Sequence, residues 1–253
     1  MLLAVWLALC KSVPSKELTR PEEAVRQALK LACDAPTSSH LQRVISQLPG
    51  SQNRIHSLKN LDKAGWRAEI LMGMDMLLLE RVMPHRSDSN TIVRFEEGME
   101  RRPRWMAIAS SGCLVKAVRR LDYDKNGTLS KLHYLDAEFA KIEVTMDLNP
   151  PIPASEPRSG VQVAVVDTGV NYLLPEINAR LARDDSGELR GYDFWDLDNR
   201  PFDWNPIPSP FFPTHHGTEI TSIVIKGSPG ITIMPYRFPR SDMSRMGELI
   251  SHA

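Results

Sequence analysis

Val161-Gln162-Val163-Ala164-Val165-Val166-Asp167-Thr168-Gly169 sets a nearly unbroken β-branched run against a carboxylate and a turn-forming glycine. Such runs are expected of parallel strands buried on both faces. A carboxylate ending one stands at the edge where open α/β sheets gather ligands and chemistry, and Gly169 lets the chain leave that edge sharply. Further on, His215-His216-Gly217-Thr218 leads into Glu219-Ile220-Thr221-Ser222-Ile223-Val224-Ile225, an apolar segment with small polar residues that suits a helix packed on a sheet. A histidine heading that helix, near the strand-end aspartate, is the geometry in which a carboxylate fixes an imidazole's tautomer and stabilises its protonated form. Taken one at a time the motifs leave alternatives open, a turn residue at Asp167 before Thr168-Gly169 and a cap or loop at His216-Gly217.

Two further stretches stand in register with these motifs. Between them, Gly191-Tyr192-Asp193-Phe194-Trp195-Asp196-Leu197-Asp198-Asn199-Arg200-Pro201-Phe202-Asp203 has the form G-x-D-F-x-D-x-D-x-x-P-x-D, and Ile231-Thr232-Ile233-Met234-Pro235-Tyr236-Arg237 reads as the strand after the helix. Together, from about Gly160 to Ala253, the four stretches resemble the subtilisin-like serine peptidases (subtilases). The resemblance implies an α/β fold, a subtilisin-like parallel sheet with flanking helices. It also implies a serine endopeptidase whose candidate catalytic residues are Asp167, which orients His216, and His216, which acts as general base, then general acid; His215 is the alternative base, but only His216 directly precedes Gly217-Thr218. Near it, Glu219 replaces the family's second histidine, and Thr221 and Ser222 replace its small alanine and glycine.

The larger departure concerns the nucleophile. The family's order is Asp, His, Ser, with the serine in a G-T-S-x-A-x-P segment that opens a later helix. Ser222, Ser228, Ser241, Ser244 and Ser251 all follow His216, and none has that context. The strand carrying the family's oxyanion asparagine has no counterpart either. Without nucleophile and oxyanion donor, an Asp–His pair has nothing to activate, so the sequence as written is expected not to cleave peptides. Two readings stay open: a secreted subtilase whose sequence has been cut short, and a non-catalytic secreted protein, binding or propeptide-like, with a vestigial peptidase segment.

Outward from residue 161 the composition changes. Asn149-Pro150-Pro151-Ile152-Pro153 and Ala154 to Gly160 form a stiff polar connector. Residues 1–148 carry 22 basic and 18 acidic side chains, residues 149–253 carry 9 and 13, and 13 of the 19 prolines lie at or beyond Pro150. The expected organisation is a signal peptide over 1–15, an α+β domain of helices plus an antiparallel meander over 16–149, the linker 150–160 and a partial peptidase domain over 161–253. The opposite charges of the halves suit docking of the first on the second, although salt screens charges spread this widely. Overall the 253 residues balance 31 basic against 31 acidic side chains, which argues against a nucleic-acid partner. No apolar run reaches the roughly 20 residues of a membrane helix. A peptide or protein substrate is the expected partner.

Met1 to Cys10, MLLAVWLALC, resembles the apolar core of an export signal, without the usual cationic start. It implies a secreted or periplasmic protein; the alternative is an apolar strand or helix packed on the body. Loss of Cys10 with the signal leaves Cys33 and Cys113, which an oxidising compartment would bridge, against the alternative of two buried thiols.

In the first half, Pro21-Glu22-Glu23 opens a helix ending near Cys33, and a second runs from Ser39 to Gln47, stopped by Leu48-Pro49-Gly50. Strands are expected at Trp66–Ile70, Thr91–Phe95, Trp105–Ala109, Leu114–Leu121, Leu129–Leu135 and Ile142–Met146. Asp122-Tyr123-Asp124-Lys125-Asn126-Gly127-Thr128-Leu129-Ser130 matches the opening of an EF-hand calcium loop, but His133 occupies the position of the closing carboxylate. A type I′ hairpin at Asn126-Gly127 explains both flanks instead, pairing Asp122 with Lys131, Leu121 with Leu132 and Val118 with Leu135. No cofactor is expected. Calcium at Asp193, Asp196, Asp198 and Asp203 is the alternative to a solvated loop, and a zinc pair at His215-His216 is disfavoured because adjacent side chains point apart.

Overall fold

The computed structural model describes residues 20–45, the backbone of 54–61, and residues 65–82, 89–238 and 245–252. The expected export signal, Cys10 and the Leu48-Pro49-Gly50 stop lie outside the described residues. Two compact units divide the chain: Met1–Arg102 with Ala107–Leu114, and Pro103–Met106 with Val115–Ala253.

In the first unit, α1 (Pro21–Cys33) begins on a proline, carries Glu22 and Glu23 in its first turn and Lys30 in its last, and so complements its own dipole. Ala24, Val25, Ala28, Leu29 and Ala32 make one buried stripe. In α2 (Ser38–Val44) the Thr37 hydroxyl caps the start by accepting from the His40 amide at 3.2 Å. Four strands follow: β1 (Arg54–Leu61), β2 (Gly65–Met72), β3 (Asp75–Val82) and β4 (Asn90–Glu97), paired antiparallel in chain order. The rungs Ala68–Leu79–Val93 and Ile70–Leu77–Phe95 are buried in line across β2, β3 and β4, and α1 packs on β3 and β4. Each larger side chain removed from water there contributes about 1.5–3 kcal/mol. The Arg81 guanidinium donates to the carbonyls of Cys33 at 3.2 Å and Ala35 at 3.4 Å, capping the end of α1. Cys33 and Cys113 are joined by a disulfide with Cα atoms 5.6 Å apart.

β5 (Arg102–Ala109) contributes to both units, and β6 (Val115–Tyr123), β7 (Leu129–Leu135) and β8 (Ile142–Asp147) belong to the second. The expected pairs Asp122–Lys131, Leu121–Leu132 and Val118–Leu135 are present. The turn type differs from expectation. Gly127 alone has positive φ (+78°) in the turn, its amide donates to Asp124 O, and Tyr123 pairs with Leu129. This is a three-residue loop closed by a type I turn with glycine in the left-handed position. One extra residue, Ser130, then restores the register that a two-residue loop would have produced. The Asp124 carboxylate accepts from the Asn126 and Thr128 amides, so it serves the turn.

The rest of the second unit holds β9 (Val161–Asp167), α3 (Pro175–Asn178), β10 (Tyr192–Asp193), α4 (His216–Gly227), β11 (Ile231–Arg237) and α5 (Met246–His252). Phe194, Tyr236 and Leu249 form a buried cluster there. The connector 150–160 lies in this unit, with Pro150 O accepting from the Tyr172 hydroxyl at 2.7 Å and Pro153 O from Arg183 at 2.8 Å.

The expected subtilisin-like α/β fold is corrected by this topology. Eight strands, β1 to β8, form one sheet in chain order, and every pairing described in it is antiparallel. Among the described residues β10, β11 and β9 form a three-stranded parallel sheet in that order, and helices are few. The molecule is therefore mostly an antiparallel meander. Two of its strands, β1 and β3, went unforeseen; Leu77-Leu78-Leu79 in β3 is an unbroken apolar run whose period does not separate strand from helix. β9 is also not buried on both faces. It is an edge strand, with Val161 71% and Val166 43% exposed.

Candidate active site

β9 ends at Asp167 and α4 begins at His216, and the structure brings the two side chains together. Both carboxylate oxygens of Asp167 stand 2.9 Å from His216 Nδ1. A carboxylate can only accept, so the proton lies on Nδ1 and the neutral ring keeps Nε2 as its basic nitrogen. Asp167 is 17% exposed and His216 60%, which leaves the imidazole accessible. The hydrogen bond that Nδ1 donates to Asp167, and then the carboxylate's charge, hold the His216 pKa above its ordinary value of 6.5. An orienting carboxylate thus meets an imidazole able to take a proton and hold it.

Close approach of α4 to the strand end makes the contact possible. A Cβ on Gly217 would stand 3.1 Å from Asp167 Cβ and overlap the Gly169 carbonyl oxygen, so only glycine fits after His216. Gly169 itself has φ +102°, a conformation that side chains resist, and a Cβ there would meet Phe202 O at 2.6 Å.

The start of α4 is capped from other segments. His215, its N-cap, makes no side-chain cap; its Nδ1 lies 2.6 Å from Asp203 O. Instead the Gly217 amide donates to Thr168 Oγ1 at 2.9 Å, and the Thr218 amide to Asp203 Oδ2 at 2.7 Å. Thr168 Oγ1 in turn donates to Asp203 Oδ1 at 2.5 Å, and Thr218 Oγ1 accepts from the Asn171 amide at 2.9 Å. Asp203 is fully buried, and burial raises its pKa against the pull of these donors. Two free N–H groups and the positive end of the helix dipole are thereby satisfied by one carboxylate and one hydroxyl.

Thr168 and Thr218, which the sequence left without roles, and Asp203, weighed there only as one of a calcium-loop cluster, are the residues that seat α4. Both threonines stand inside the quoted D-T-G and H-G-T motifs, so the signal was present in the sequence. His215, the alternative base, faces a backbone carbonyl rather than a carboxylate. The carboxylates of the acidic segment have three sets of partners. Asp193 and Asp196 bind Arg237 at 2.8 and 2.7 Å, Asp198 binds Asn149 and Arg200, and Asp203 serves α4. Burial pushes the Asp193 carboxyl up to about 6, against the opposing charge of Arg237. Among the described residues no group of three or more His, Cys, Asp or Glu is placed to hold a metal ion. Nor, among them, does a serine hydroxyl hydrogen-bond to His216; Ser251 Oγ donates to Gly247 O, and Ser241 and Ser244 lie outside the described residues. No described helix is long and apolar enough to cross a membrane.

Among known proteins, partial similarity runs to serine proteases of Bacillus. The chain is 36% identical over 85 residues, 31% of its own length, to the minor extracellular protease Vpr of Bacillus subtilis (strain 168), covering 10% of that protein. It is 35% identical over 65 residues, 26% of its length, to a thermophilic serine proteinase of Bacillus sp. (strain AK1), covering 12% of it. The matched stretches thus span about a tenth of the length of these relatives. No family model matches the chain, and no solved structure does.

Proposed function

We propose that the second unit carries the Asp–His portion of a subtilase-type serine endopeptidase centre. Asp167 orients the ring and balances its charge, and His216 takes the proton of an attacking hydroxyl and then returns it to the leaving amine. The observation that carries this reading is the pair of 2.9 Å approaches of the Asp167 carboxylate to His216 Nδ1, at the head of a helix that leaves the ring accessible. Partial similarity to two proteases supports the same chemistry. No serine of this sequence stands in a G-T-S-x-A-x-P context, so the 253 residues by themselves do not hydrolyse peptides. Export from the cytoplasm completes the proposal; the Cys33–Cys113 disulfide supports an oxidising compartment.

Two measurements test it. By NMR, His216 titrates above 6.5 in the native chain and returns toward its ordinary value in Asp167→Asn; a His216 indifferent to that substitution refutes the pairing. Incubation with a serine-reactive fluorophosphonate leaves the chain unlabelled, and a labelled serine would show that the chain holds its own nucleophile.

A further inference from the structure

One cavity of the second unit has no role in the pairing of Asp167 with His216. It measures about 240 Å³ and is lined by Tyr123, Trp195 and Trp204, by Pro206 and Pro210, by the hairpin residues Gly127 to Leu129 and by Asp196. Its place follows from the strand ends. Trp204 directly follows Asp203, the residue that caps α4, and its carbonyl accepts from Arg237 Nη2 at 2.8 Å. Arg237 is the register partner of Asp167 across β11 and β9. The cavity therefore belongs to the same carboxyl-end edge of the parallel strands as the Asp–His pair, where α/β units collect ligands.

We infer that this cavity binds one neutral apolar side chain, aromatic or branched, of a peptide substrate. Size is the first reason: pockets for whole small ligands run from about 300 to 1,000 Å³, and this one is smaller. Charge is the second. An aromatic box with a carboxylate would ordinarily select a cation, but the cations are already supplied. Arg237 holds Asp196 at 2.7 Å and lies 5.3 and 5.6 Å from the ring centres of Trp195 and Trp204, while Arg104 lies 5.6 Å from that of Tyr123. A lysine or arginine entering the cavity meets these guanidinium groups and finds its carboxylate neutralised. A neutral side chain meets ring faces and proline carbons and leaves the ion pair intact.

Identification of the occupant as part of a substrate rests on the protease reading above; the cavity's selectivity does not. The test uses the full chain labelled with ¹⁵N, reading the indole N–H signals of Trp195 and Trp204 during addition of acetyl-phenylalaninamide, acetyl-alaninamide or acetyl-lysinamide. Acetyl-phenylalaninamide should move both signals saturably and bind about tenfold or more tightly than either of the others, as expected for burial of one large apolar side chain. Leu129→Trp, which fills the cavity, should abolish the shifts while His216 titrates as in the parent. If Leu129→Trp does not fold, Thr128→Trp at the same wall gives the same readout. Equal shifts from acetyl-lysinamide, shifts unaffected by filling, or no shifts at all would each overturn the assignment. A failure here with a normal His216 titration refutes the cavity and leaves the Asp–His reading standing.

Discussion

Gly217→Ala asks whether the tight seat of α4 on the end of β9 is real. Helix propensity alone favours the change, by up to about 1 kcal/mol for alanine over glycine in a helix. The local geometry opposes it. The new Cβ would overlap the Gly169 carbonyl oxygen and stand 3.1 Å from Asp167 Cβ and 3.2 Å from Gly169 C, two backbone neighbours and a side-chain stem that cannot swing aside. Relief requires the first turn of α4 to withdraw, and overpacking of this kind costs about 1–3 kcal/mol. Withdrawal also stretches the 2.9 Å bond from the Gly217 amide to Thr168 Oγ1, worth about 1 kcal/mol. The terms sum to a net loss of about 2 kcal/mol. It is measured as the change in urea midpoint at unchanged slope, with tryptophan fluorescence as the signal. The same withdrawal lengthens the Asp167–His216 contact, so the His216 pKa should fall toward 6.5 in parallel. Gly227→Ala, at the far end of α4 with nothing within 4 Å of its Cβ, is the control and should be neutral or stabilising. A Gly217→Ala protein that behaves like Gly227→Ala, with His216 titrating normally, would refute the close seating of helix on strand.

Other outcomes follow from the same structure. Asp203→Ala removes the acceptor for the Thr168 hydroxyl and the Thr218 amide in a fully buried place, so it should cost about 3 kcal/mol in urea unfolding, and Asp203→Asn, which keeps one acceptor, should cost less. The raised pKa of His216 ties the Asp167 contact to acid-side stability: the advantage of the native chain over Asp167→Asn should be present below 6.5 and disappear as pH rises through the raised His216 value, followed by thermal melts from about pH 5 upward. Reduction of the Cys33–Cys113 bridge, which closes a loop of 80 residues, should lower stability by about 2–4 kcal/mol in paired melts with and without reductant. Arg119 lies between the rings of Tyr134 and Phe212, 4.1 and 4.3 Å from their centres; Arg119→Ala should cost about 2 kcal/mol, and Arg119→Lys should recover less than half, because an ammonium lacks the flat face that stacks.

Local patterns were legible in the sequence where the signal was itself local. Pro21 and the acids after it mark the start of α1, and the apolar run ending in Asp167 marks β9. The pairing of Asp122 with Lys131 follows from counting outward from a glycine turn, even though the turn has another type and a bulge makes up the difference. Burial was harder to read. The same β-branched run that suggested a strand covered on both faces belongs to an edge strand, because burial is set by what packs alongside and not by the run. Fold class failed for a related reason. Four motifs in the last third of the chain drew the expectation toward a parallel sheet, whereas most strands lie in the meander, in which each strand stands beside its neighbour in sequence.

The candidate site divides in the same way. Asp167 and His216 could be named from sequence because each ends or begins an element whose periodicity is visible, and because the chemistry demands a carboxylate and an imidazole. Their separation, the tautomer it imposes and the exposure of the ring came only from the folded chain. So did the capping of α4 by Thr168 and Asp203, since a helix with histidine at its N-cap does not announce which distant side chains will satisfy its first amides. The sequence by itself determined which residues are the candidates for the chemistry and where the strand and helix bearing them lie. Tertiary structure decided which of those groups meet, how deeply each is buried and what sheet they stand on, because those properties depend on contacts between segments that no local pattern encodes.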